Sequence, residues 1–208
     1  MNKQEVYALL DALGIAYEVT EHGAVYTMAD LASIPLPHPE ADAKNLFVRD
    51  DRRQNFYLLT VQGNKRVDLR QFRREQGTRP LSFASDEELL ALLGLTAGSV
   101  TPFGLLNESD SEHRVVLYLD RDLAGGLVGV HPNDNTATVW LKTDDLAALL
   151  RTRRGTVYGD SRARVGEDLG TLTQTLLRKL PPRSFLRTFR NFKQGDLFKA
   201  FLPRRSEK

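Results

Sequence analysis

Apolar residues first recur at helical spacing. Val6, Leu9, Leu10 and Leu13 share one face of residues 3–13, and Gly14 closes that helix. The period then drops to two. Residues 15–20 alternate like a strand; residues 43–48 and 56–61 read as strands on either side of a polar turn at 50–54, which predicts a hairpin. Thr27 is placed to cap a short helix over 28–33, and Ile34-Pro-Leu-Pro-His-Pro39 is too rich in proline for regular structure. Residues 67–76 read as a helix closed by Gly77. Ser85 and Glu88 make the capping-box pair of a helix over 86–93, with Gly94 just past its end. Further strands are expected at 114–120, 127–130 and 136–141, with a turn at 131–135 (His-Pro-Asn-Asp-Asn). A last helix over 144–150 is expected to be capped by Thr143. Strands and helices mixed at uneven spacing argue for an α+β fold over a regular βαβ wind.

Charge changes the picture at one place. Residues 1–150 carry 14 Lys+Arg and 22 Asp+Glu, a net of −8, whereas residues 151–208 carry 15 and 5, a net of +10. The break predicts a domain over 1–150 followed by a basic C-terminal extension over 151–208. The chain has no cysteine, which excludes disulfides, thiolate metal sites and a cysteine nucleophile. Its four histidines lie far apart without ligand spacing, so neither a metal nor another cofactor is expected. No apolar run approaches the roughly 20 residues of a membrane span, and no signal-peptide core opens the chain. A cytoplasmic location is the default expectation.

Three stretches are candidates for chemistry. Residues 94–107 join Gly94, Gly98, Pro102 and Gly104 in a loop that can bring backbone amides close to a ligand, or that is an ordinary helix-to-strand connector. Lys44 begins the strand that follows the proline loop. It is either a snorkelling lysine with a solvated head or a cation held against apolar company. Arg66, Arg70, Arg73 and Arg74 lie close to one stripe, as a solvated face or as a surface for the phosphates of a nucleic acid.

Taken in order, Lys44-Asn45-Leu46-Phe47, Tyr57-Leu58, Lys65-Arg66-Val67-Asp68-Leu69, Leu81-Ser-Phe-Ala-Ser85, Leu93-Gly94, Gly98-Ser-Val-Thr-Pro-Phe-Gly104 and His131-Pro132-Asn133 form a pattern. It resembles the YbaK/prolyl-tRNA-synthetase-associated editing domain family, in its free-standing form, over about residues 3–150. The resemblance implies a compact α+β domain with a curved, mixed, mainly antiparallel sheet and flanking helices. It implies hydrolysis of alanine mischarged onto proline-specific tRNA, with that tRNA as partner and prolyl-tRNA synthetase as a second candidate partner. By the same resemblance Lys44 is the critical residue, the Gly98–Pro102 loop shapes the pocket, and Asn45, Ser99 and His131 line it.

The residues are compatible with that chemistry. An aminoacyl ester is an activated acyl group, so its hydrolysis needs placement and charge stabilisation more than a strong nucleophile. The chain has no Gly-x-Ser-x-Gly elbow. An ordinary lysine ammonium is a cation and not a base at neutral pH, which assigns Lys44 an electrostatic role. The amides of Gly98, Ser99, Val100 and Thr101 would fix the aminoacyl group, with Pro102 stiffening the turn. His131 is either a proton shuttle or a turn residue. A small pocket can exclude the larger proline ring by size, with Leu31, Val100 and Phe103 as candidate walls. Two rival readings are a catalytically inactive binding module of this fold and an RNA-binding protein whose basic tail is the functional part.

Overall fold

The computed structural model describes residues 1–25, 34–107, 115–154 and 157–159. The helix expected at 28–33, its cap Thr27 and nearly all of the basic tail lie outside the described residues. In chain order the elements are α1 (Lys3–Leu13), β1 (Tyr17–Glu21), β2 (Ala43–Asp50), β3 (Phe56–Gln62), α2 (Leu69–Gln76), β4 (Leu81–Phe83) and α3 (Asp86–Leu93). There follow β5 (Val115–Leu119), β6 (Leu127–Val130), β7 (Ala137–Lys142), α4 (Thr143–Arg154) and β8 (Val157–Gly159).

Local chemistry sets most boundaries. Asn2 and Glu5 exchange side-chain hydrogen bonds with each other's amides at the start of α1, and Ser85 and Glu88 do the same at α3. Each box satisfies two of the amides that a helix N-terminus leaves open. Gly14, Gly77 and Gly94 close α1, α2 and α3 in the left-handed region. The helix expected from 67 starts two residues later, because the Asp68 carboxylate accepts from the amides of Arg70 and Gln71 and so makes Asp68 the cap. Thr143 is a correction. It stands inside the first turn of α4, and its buried hydroxyl has no hydrogen-bond partner among the described residues. Its amide is satisfied instead by the Gly126 carbonyl at 3.0 Å.

The strands form two sheets. One has the order β1-β7-β6 and is antiparallel throughout; the other has the order β4-β2-β3-β5-β8 and is mixed, with β3–β5 and β5–β8 parallel. Among the described residues a single parallel bridge, Asp42 to Gly129, connects them. This is the expected α+β class, mainly antiparallel, with the sheet divided at that seam.

Strand alternation sorts side chains to two faces. Val19, Val128, Val139 and Leu141 of the small sheet join Phe47 and Leu58 of the large one in the main core, under α1, α3 and the 3-10 turn Pro102–Asn107. On the other face of the large sheet, Val48, Tyr57 and Leu59 form a smaller cluster covered by Val67, Leu69 and Phe72. Phe72 packs edge-on against Tyr118 with ring centroids 4.9 Å apart. The faces opposite the main core carry the chemistry.

Candidate active site

Ladder register lines up the polar face of the small sheet. Glu18 pairs with Trp140, Trp140 with Gly129, and Gly129 with Asp42 across the bridge. Residues directly opposite one another share a face, so these four make one row. The bridge is parallel, so Lys44 and His131 each stand two residues beyond it in the same direction and begin the next row. Thr20 and Thr138 belong to that second row on the small sheet. Two positions that the sequence marked, Lys44 and His131, therefore come to one end of the seam although 87 residues separate them in the chain.

Each group on this face is held by the backbone or by a neighbour. The Lys44 ammonium donates to the Gly63 carbonyl at 3.1 Å and to the Lys65 carbonyl. The Gly63 amide in turn donates to the Asp42 carbonyl at 2.8 Å, which pins the loop after β3 beside the start of β2. An ammonium has three N–H donors, so two are spent on backbone and one remains. His131 Nδ1 lies 2.9 Å from the Ala137 carbonyl. A carbonyl only accepts, so Nδ1 carries the proton and Nε2 presents a lone pair. Burial pulls the His131 pKa below the ordinary histidine value, against the Ala137 bond and with help from His22, so the ring is neutral at pH 7. His22 meets it edge-on at 6.0 Å and bonds to Gly23 and Thr138.

Trp140 roofs the first row. It is 1 % exposed, and its indole N–H donates to Thr20 Oγ1 at 2.9 Å. Its six-membered ring lies over Gly129, where a Cβ would come within 2.3 Å of the ring. Glycine is required there for this close approach. The His38 ring stands against the indole at 5.4 Å, and its Nε2 is 3.1 Å from a Glu18 carboxylate oxygen. Sequence reading passed over Asp42, Trp140, His22 and His38. The alternation of Glu18, Thr20 and His22, and of Thr138 and Trp140, is visible in the sequence, but only strand pairing joins it to Lys44.

Other expected site residues lie elsewhere. Asn45 alternates with Lys44 onto the opposite face, where its side-chain oxygen accepts from the fully buried Thr60 hydroxyl at 2.7 Å. Gly98 takes φ 85°, a left-handed conformation, as its place in the loop required. The Ser99 hydroxyl donates to the Thr96 carbonyl at 2.8 Å and accepts from the Thr96 amide, so it is spent within the loop. Thr101, Pro102 and Phe103 are buried, and Phe103 belongs to the main core. Val100 is half-buried against that core. Leu31 lies outside the described residues. Arg66, before α2, and Arg70, Arg73 and Arg74 within it are all exposed, with Phe72 of α2 turned inward, and none makes a salt bridge among the described residues. The amides of Gln71 and Arg70, then the Arg74 and Arg70 charges, hold the Asp68 carboxyl below its ordinary range.

Comparison with known proteins bears on the same region. The model of the aminoacyl-tRNA editing domain matches residues 22–149. The chain belongs to the aminoacyl-tRNA editing domain family. It is 40% identical over 155 residues to the prolyl-tRNA editing protein ProX of Acetoanaerobium sticklandii, covering 74% of this chain and 93% of that one. It is 31% identical to the mouse prolyl-tRNA synthetase associated domain-containing protein 1, over 72% of this chain and 89% of the relative. A crystal structure of a putative trans-editing enzyme for prolyl tRNA synthetase superposes with a TM-score of 0.53 at 25% identity, covering 76% of this chain and 94% of that one. The family match takes in Asp42, Lys44, the Gly98–Pro102 loop, His131 and Trp140. Among the described residues no helix is long and apolar enough to cross a membrane, and no group of three or more His, Asp or Glu could hold a metal ion.

Proposed function

We propose that this protein is a trans-editing hydrolase that cleaves the ester of a mischarged aminoacyl-tRNA, with alanyl-tRNA(Pro) as its first substrate and tRNA as its partner. Family membership supports the reaction class. The observation that carries the site is the register that brings Lys44 and His131 to one end of the seam. Water adds to the ester carbonyl carbon, and the carbonyl oxygen takes on negative charge. Collapse breaks the bond to the ribose oxygen, which leaves with a proton, and alanine is released as the acid.

The residues divide that work. Lys44, fixed by two carbonyls, turns its remaining N–H to the ribose or to the developing oxyanion. The His131 Nε2 lone pair accepts a proton from the attacking water. Amides of the Gly98–Pro102 loop hold the aminoacyl group, and Val100 with Leu31 limits its size. Arg66, Arg70, Arg73 and Arg74, exposed and outside any salt bridge among the described residues, take phosphates of the tRNA. Association with prolyl-tRNA synthetase belongs to the same proposal.

The proposal also covers organisation: residues 1–150 are the editing domain and 151–208 a basic extension with a separate role. Two features run past 150, since α4 continues to Arg154 and β8 pairs in parallel with β5.

The test is deacylation of purified alanyl-tRNA(Pro) and prolyl-tRNA(Pro) by the full chain. Rapid loss of alanine with proline retained is expected. Tight binding of both without turnover would favour the inactive binding module.

A further inference from the structure

Three aspartates of the large sheet and its seam are largely buried, and two are accounted for. Asp50, fully buried, accepts from the amides of Arg52 and Gln54 and from the Asn55 side chain. Asp120 accepts from Lys65 at 2.6 Å and from the Gln62 and Asp122 amides. Asp42 is 8 % exposed; its carboxylate accepts from the Ala43 amide, but no cationic side chain among the described residues pairs with it. The cation two residues along the same face, Lys44, is turned away onto the Gly63 and Lys65 carbonyls. Beyond Lys44, the charged and titratable groups facing this row are Glu18 and His38 across Trp140, and His131 with His22 on the next row. None of them bonds to Asp42 among the described residues.

A buried carboxylate without a counter-charge is costly, and a fold keeps one where something else supplies the charge. Along the row the Trp140 ring lies over Gly129, the residue bridged to Asp42. A buried carboxylate with no counter-charge, two residues from Lys44 on the same face, suits a small organic cation that supplies the missing charge. Few ligands of an editing site carry such a charge close to the reacting bond. An aminoacyl ester has one: its α-ammonium, one carbon from the carbonyl.

We propose that Asp42, at the seam beside Gly129, receives the α-ammonium of the aminoacyl group and so orients its ester carbonyl towards Lys44. The inference rests on the editing reading above for the identity of the ligand. It makes Asp42 a substrate-binding residue that separates a free aminoacyl ester from an N-blocked one. Desolvation raises the Asp42 pKa to about 6, so the carboxylate is charged at pH 7, where an α-amino group is still largely protonated.

The test uses the full chain at pH 7 and two hydrolysis-resistant probes, adenosine bearing an amide-linked alanine and the same compound N-acetylated. Calorimetry on the wild type should give at least about tenfold tighter binding of the free amine. Asp42→Asn should bind both probes at the acetylated level, with its thermal melt recorded alongside. A preference that survives in Asp42→Asn overturns the proposal. So does an equal loss for both probes, which would mean that Asp42 acts through the fold or through Lys44. Hydrolysis of alanyl-tRNA(Pro) and N-acetylalanyl-tRNA(Pro) is measured in parallel. If neither ester is cleaved while the amine preference still depends on Asp42, the recognition stands and the hydrolase reading falls. If both esters are cleaved equally by wild type and variant, the hydrolase stands and the recognition falls.

Discussion

Strand β2 has a buried aspartate at its far end and another just before its start, and the two live differently. At the hairpin end, Asp50 is enclosed by donors from the turn that it organises. Burial pushes its pKa up, but the bonds from Asn55, Gln54 and Arg52 outweigh that and hold it below the ordinary carboxylate range. At the seam, burial outweighs the Ala43 amide bond at Asp42, and its pKa rises to about 6. Residue type and burial are nearly the same, so what separates the two is how many partners the fold supplies. A buried charge enclosed by donors specifies a turn, whereas one left with a single amide and no counter-charge leaves an opening for a ligand.

The largest effect is expected at the seam end. Lys44→Ala should lower kcat/KM on alanyl-tRNA(Pro) by at least about 100-fold, the scale of losing one preorganised electrostatic donor. Its melting temperature should stay close to that of the wild type. Near-normal turnover by this variant would remove Lys44 from the chemistry and erase the contrast between the two ends.

Next come the pH profiles of stability, which should slope in opposite directions. Asp42 has a folded-state pKa above its unfolded value, so its contribution is present at low pH and is lost as pH rises through about 6. Relative to Asp42→Asn, the wild type should lose roughly 2–3 kcal/mol between pH 4 and pH 7, at about 1.4 kcal/mol per pKa unit. Asp50 has its folded pKa depressed, so its contribution is present at neutral pH and is lost on acidification. Denaturant midpoints across pH 4–8 check both slopes, and parallel profiles for the two sites would break the comparison.

Smaller effects belong to the periphery. The double variant Arg70→Gln with Arg74→Gln should weaken tRNA binding severalfold and make the slope of log affinity against log salt shallower by about 2, with kcat unchanged. An unaltered salt slope would take α2 off the tRNA surface. Val100→Ala should raise hydrolysis of larger aminoacyl esters relative to alanyl ester by a factor of about 3 to 10. A constant ratio would mean that Val100 does not bound the pocket.

What the sequence made legible was local. The capping box of Ser85 and Glu88, the glycine stops at Gly14, Gly77 and Gly94, and the hairpin around Asp50 are signals carried within a few residues, and all of them fold as expected. Thr143 resembled a cap by the same local rule, but tertiary packing buried its hydroxyl. Lys44 was visible through the family pattern. Asp42 was not, because between a proline loop and a strand it reads as an ordinary polar flank. Its place at the seam comes from the bridge to Gly129 and the row that Trp140 continues, residues 87 and 98 positions away. Only tertiary structure can supply them. Asn45 teaches the reverse. It adjoins Lys44 in sequence, and strand alternation puts it on the core face with Thr60.

The most direct measurement takes Asp42→Asn and Asp50→Asn together and records for each, at pH 7.5, the unfolding free energy and the turnover of alanyl-tRNA(Pro). Asp50→Asn sets an amide donor against the Asn55 side chain that now donates to it, and should cost about 2 kcal/mol while the folded fraction keeps its turnover. Asp42→Asn should be as stable as the wild type or more so, and should lose at least about tenfold in kcat/KM. If Asp42→Asn unfolds as readily as Asp50→Asn while the folded protein turns over normally, both aspartates are structural and the account of the seam is wrong.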